Sequence, residues 1–194
     1  MGNRVRSEGQ GGEASTSIRR APFSFLPRIS QIVEPRQALL DAGLASPVTL
    51  QSYRYWLANQ HHLDDTAVNA VLQVGDVAPG LTGNIIVMEV IHDPLDFRYI
   101  YIGRDVLPFL NRDWTGSLMS ELPFQRMPSS VWYLQEATAM RRRLVVAQAP
   151  YVGPISGIDR AEVLMVPIPN AGRTNQLIIS LDFLGPMPVS RYAC

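Results

Sequence analysis

Asp93-Pro94-Leu95-Asp96-Phe97-Arg98-Tyr99-Ile100-Tyr101-Ile102-Gly103, followed by Arg112-Asp113-Trp114-Thr115-Gly116 and then Glu121-Leu122, is the stretch on which the reading of this chain turns. Asp93-Pro94 interrupts an apolar run, Ile85-Ile86-Val87-Met88-Glu89-Val90-Ile91. Its β-branched residues, apolar on both faces, predict a central strand. Residues 95–103 return beside it as the second arm of a hairpin. In regular alternation Phe97, Tyr99 and Tyr101 share one face. That aromatic face is expected to look into the domain, with Arg98 on the outer face or paired with Glu89 across the hairpin.

Beyond Gly103 the spacing predicts a short helix over 103–110, a polar turn at 112–116 and a second short helix over 117–122. Pro128-Ser129-Ser130 opens the longest internal helix, to about 143, with Tyr133, Ala137, Met140 and Leu144 recurring along its inner face. Arg141-Arg142-Arg143 stands at its end, where cations meet the negative pole of the helix dipole. Strands are expected over 144–151, 161–168 and 175–184, separated by Gly153-Pro154-Ile155-Ser156-Gly157 and Asn170-Ala171-Gly172, both turn chemistry. Two strands, a helical crossover and a three-stranded meander make an α+β domain over 84–185. Its expected form is one five-stranded antiparallel sheet with helices on one face.

Upstream, residues 1–34 are rich in Gly, Ser and Arg and read as a flexible arm. Residues 35–83 read as a helical extension: a short helix over 36–42, a second from Ser46-Pro47 to about 60, and a third near 67–72. On the second helix Leu50, Tyr53 and Leu57 form a stripe with Trp56 at its margin, more aromatic mass than a solvent-facing helix needs. That stripe covers either the domain's own sheet or a second copy of the chain. Leu50, Tyr53, Trp56 and Leu57 are therefore the expected homodimer interface. His61-His62-Leu63-Asp64-Asp65 matches no metal-ligand spacing, so no metal site is expected. Residues 186–194 read as a loose tail.

The 194 residues are 46% hydrophobic and 18% charged, the proportions of one globular domain with a core. The 17 basic residues are all arginine and balance 17 acidic ones. Zero net charge lacks the basic excess of a nucleic-acid binder. The absence of lysine excludes Schiff-base chemistry and a P-loop lysine. Cys194 is the only cysteine, which excludes an intramolecular disulfide and a thiolate metal cluster. No apolar run approaches the roughly 18 residues of a membrane span. The N-terminus lacks the apolar core of a secretory signal, so a cytoplasmic protein with no membrane contact is expected. Nucleophile elbows, zinc-protease helices and paired catalytic carboxylates are missing too, so no catalytic residue and no enzyme activity are expected.

Phe97-Arg98-Tyr99, Gly103 and Arg112-Asp113-Trp114-Thr115-Gly116 resemble, in order and spacing, a bacterial branch of the PAS sensory domains. Tyr53-Arg54-Tyr55-Trp56 upstream and Val166-Pro167-Ile168 downstream extend the resemblance to about residues 52–185. It implies a sensor in which a small molecule occupies a cavity between sheet and helices. The signal then leaves through a flanking helix, a dimer contact or a signalling partner. The internal cysteine of flavin and photoactive-yellow photosensors is absent, and no histidine lies in 128–144 to hold haem, so no cofactor is indicated. Phe97, Tyr99, Tyr101, Trp132, Tyr133, Met140 and Met165 are the expected ligand-binding residues. The alternative is that they form a self-filled core in a ligand-free protein interaction module.

Overall fold

The computed structural model describes residues 46–59, 80–170 and 172–185. The arm 1–34, the helices expected over 36–42 and 67–72, the run from His61 to Asp65 and the tail 186–194 lie outside the described residues.

Helix α1 spans Pro47–Asn59. Ser46 caps it, its Oγ accepting from the Thr49 amide at 2.9 Å, and Pro47 takes the first helical position, where no amide is needed. The Ser46 amide donates to Glu162 Oε1 at 2.8 Å, which ties the helix start to the sheet. Strands β1 (Ile85–His92) and β2 (Leu95–Ile102) form the expected hairpin. Helix α2 (Ser130–Arg141) follows, with Ser129 Oγ accepting from the Trp132 amide at 3.0 Å and Arg142 closing the helix in the left-handed region at φ 51°. Strands β3 (Val145–Pro150), β4 (Arg160–Asn170) and β5 (Arg173–Leu184) complete the chain.

The five strands form one antiparallel sheet in the order β2-β1-β5-β4-β3. The fold is therefore α+β, as expected. The layering needs a correction. Helix α2 packs Trp132, Leu134 and Ala139 on one face with Met88, Phe97, Met165 and Leu177. Helix α1 covers the opposite face, where Tyr53 and Trp56 meet Ile85, Val87, Leu164, Val166 and Ile178. The cause lies in the strands. β1, β4 and β5 carry apolar side chains on both faces, and a bare apolar face of a sheet has to be covered.

A second correction concerns β2. Met88 pairs with Tyr99 but Val87 pairs with Tyr101, so Ile100 is an extra residue bulging from the ladder. Alternation slips by one at that point. Phe97 and Tyr99 face the α2 side, whereas Tyr101 packs on the α1 side and donates its hydroxyl to Thr82 O at 3.1 Å. Arg98 pairs with Glu89 across the hairpin at 2.7 Å. Gly103 follows with its amide bonded to Ile85 O at 2.8 Å, and any Cβ there would run into the Gly83 carbonyl.

Candidate functional site

The Arg112-to-Gly116 turn is built by local hydrogen bonding. Thr115 donates to Asp113 Oδ1 from its amide at 2.9 Å and from its hydroxyl at 2.7 Å. Those bonds, the backbone one first, hold the Asp113 carboxyl below its ordinary value of 3.8. Gly116 supplies a left-handed φ of 86°, and its amide then reaches Tyr99 O at 2.8 Å while the Tyr99 amide donates to Ser117 O at 3.1 Å. The turn is thus strapped along the edge of β2. Asp96 adds a second strap, accepting from the Ser120 hydroxyl at 2.6 Å and from the Ser120 amide at 3.2 Å. The result places Trp114 against Tyr99, with ring centroids 5.6 Å apart.

Behind this strap lies a cavity of about 350 Å³ between the sheet and the segment from Val106 to Gln135. Its floor is Ile86, Ala149, Ala161, Val163, Ile179, Leu181 and Phe183; Val106, Phe109, Leu110 and Trp114 roof it, and Val131 and Gln135 of α2 close one wall. The hollow has a sequence cause. Ala149 and Ala161 are direct partners across the β3–β4 ladder, so two methyl groups stand together where larger side chains would have filled the floor. One end is fastened by aromatics: Phe109 stacks on Phe183 at 4.0 Å, and Tyr151 donates its hydroxyl to Phe109 O at 2.9 Å. Phe124, 71% exposed, and Val152, 64% exposed, stand at the rim.

Among the described residues, none that lines the cavity is charged. Its polar groups are few. Asn111 Oδ1 accepts from the Trp114 indole at 2.9 Å and Tyr151 is tied as described. Gln135 is 2% exposed, yet its Oε1 has no hydrogen-bond partner among the described residues. Tyr99 also lines the cavity. Burial holds its proton well above the ordinary value of 10.0, so at neutral pH it is a hydroxyl donor.

Of the residues expected to bind a ligand, Tyr99 alone lines the cavity. Phe97, Trp132 and Met165 are buried in the packed core beside it, with the Trp132 ring edge-on to Phe97 at 5.3 Å. Tyr101 sits on the other face of the sheet. Helix α2 is phased differently from the expectation: Trp132, Leu134, Gln135, Thr138 and Ala139 are buried, Tyr133 is half-buried and Met140 is 51% exposed. Apolar residues stand on more than one side of the helix, with Tyr133 and Met140 on one and Trp132, Leu134 and Ala139 on another, so two stripes compete, and the larger Trp132 takes the inside. Phe109, Trp114, Gln135, Tyr151 and the Ala149–Ala161 pair were not anticipated. The alanines at 149 and 161, in otherwise apolar strands, were the available signal.

Of the expected dimer residues, Tyr53 and Trp56 are buried on the sheet, Leu50 is half-buried, and Leu57 is 48% exposed. Tyr53 and Trp56 are thus core within the chain, the first of the two alternatives for that helix. Among the described residues no group of three His, Cys, Asp or Glu side chains converges to hold a metal. His92 bonds Thr174 O at 2.9 Å and joins β1 to β5. No described helix is long and apolar enough to cross a membrane. No protein-family model matches the sequence, and no curated protein matches it either.

Proposed function

We propose that the chain is a PAS-type sensory module whose cavity takes a small molecule and whose output is a contact with another protein. The observation that carries this reading is the hollow itself. About 350 Å³ is left open over paired alanines on one face of the sheet, and it falls within the range of small-molecule sites. The sheet order β2-β1-β5-β4-β3, the strand-to-turn strap from Asp96 to Ser120 and the helix laid across the sheet are consistent with the resemblance read from the sequence. A place in the cytoplasm belongs to the same proposal.

The module has no catalytic role in this reading. Its binding step orders the roof segment over the floor, and the change is passed on through the rim at Phe124 and Val152. A homodimer through α1 would use the outward side that carries Leu57, since Tyr53 and Trp56 already face the sheet. A thermal-shift screen of small neutral aromatics against the wild-type chain and Ala161→Leu tests the proposal. Compounds that raise the melting temperature of the first and not the second support it. A screen in which every stabilising compound acts equally on both places binding elsewhere and overturns it.

A further inference from the structure

The polar groups of the cavity narrow what it takes. We infer that the site is selective for an uncharged, flat aromatic molecule that carries a hydrogen-bond donor directed at Gln135. The inference rests on the cavity reading above and specifies its ligand.

Three observations converge on it. The first is charge: among the described residues the wall holds no arginine, aspartate, glutamate or histidine. A carboxylate or phosphate entering it would leave water without gaining a counter-ion, and burying an uncompensated charge is strongly unfavourable. The second is shape. Trp114, Tyr99, Phe109, Tyr151 and Phe183 present ring faces and edges around one space, and rings pack against rings in stacked or edge-on geometry.

The third is the unmet polar chemistry. Gln135, in the middle of α2, is part of the cavity wall, 2% exposed, with Oε1 unpartnered among the described residues. Buried amides are ordinarily hydrogen-bonded, and an unpaired one points to a partner that the chain itself does not supply.

The test uses the full chain and three matched probes: 2-phenylindole, which has a ring N–H donor; 2-phenylbenzofuran, the isostere with oxygen in that position; and a carboxylated 2-phenylindole. Affinities are measured by titration calorimetry on the wild type and on Gln135→Leu. A single hydrogen bond changes affinity by roughly threefold to tenfold. The wild type is expected to prefer 2-phenylindole over the benzofuran by that factor, and to bind the carboxylated probe at least about tenfold more weakly than 2-phenylindole. Gln135→Leu is expected to abolish the preference while retaining the benzofuran affinity.

Equal affinity for the indole and benzofuran in the wild type overturns the role of Gln135. Carboxylated probe binding as tightly as the neutral one overturns the charge selectivity. If none of the three binds, the inferred ligand class is wrong. The cavity reading is judged separately, by whether any compound distinguishes the wild type from Ala161→Leu. Melting temperatures of Gln135→Leu establish that the variant is folded, and removal of an unpartnered buried amide is expected to leave it at least as stable as the wild type.

Discussion

Tyr99 shows how one residue joins the fold to the site. Its backbone bonds Gly116 and Ser117, its ring meets Trp114, and the residue lines the cavity. Burial raises its pKa above the ordinary 10.0, so the folded chain keeps this proton where the unfolded chain loses it. The stability associated with Tyr99 is fully present below pH 10 and falls as pH rises above it. Urea denaturation between pH 9 and pH 11 should therefore show a steeper loss for the wild type than for Tyr99→Phe. Equal slopes would mean that Tyr99 ionises as freely in the folded chain as in the unfolded one. Asp113 has the opposite sign. Its carboxyl is depressed by the Thr115 bonds, so its contribution is present above pH 3.8 and is lost as the pH falls further. Asp113→Ala should lower the protection of the Gly116 amide against hydrogen exchange at neutral pH, relative to its intrinsic rate, and remove the loss of that protection in acid. An unchanged exchange rate would show that the strap holds without the turn. At this scale the sequence was legible in part. The turn chemistry of Asp113, Thr115 and Gly116 and the Arg98–Glu89 pair could be read from residue type and spacing. Gln135 could not, because a single amide on a helix has no periodic signal.

Among the elements, the strands and the two helices were readable because hydrophobic runs, caps and breakers mark them: Ser46-Pro47 opens α1, Ser129 caps α2, and Asp93-Pro94 separates β1 from β2. Phase was not readable. Ile100 bulges from β2 and sends Tyr101 to the other face, and nothing in the alternating run Phe97 to Ile102 marks where the ladder slips. Helix α2 has the same ambiguity, since Tyr133 and Met140 are as apolar as Trp132 and Leu134. Helix α1 resolves an alternative that its sequence left open. Trp56, 6% exposed, lies on the sheet. Trp56→Ala should accordingly lower stability by about 3–5 kcal/mol, read from urea denaturation, without changing the mass seen by light scattering. A variant of unchanged stability that halves its mass would return Trp56 to a dimer contact.

For the whole molecule, one sheet carries two cores, and they differ in completeness. The face under α1 is closed by Tyr53 and Trp56 on Ile85, Val87 and Ile178. The face under α2 is packed at Trp132, Met165 and Leu177 but hollow over Ala149 and Ala161. A cavity depends on how the strands register and on what the roof loop covers. Those are long-range facts, and hence the aromatic residues singled out from sequence alone fell mostly in the packed half. Ala161→Leu should raise stability by about 1 kcal/mol in urea denaturation as it fills the floor. Destabilisation by more than about 1 kcal/mol would indicate overpacking and a floor without spare volume.

The most direct measurement is the mass of freshly purified full-length chain under native conditions against its mass after denaturation. The account predicts a native mass greater by a small, uncharged molecule, with the excess absent from Ala161→Leu. Identical native and denatured masses across independent preparations, or the same excess in both proteins, would contradict it.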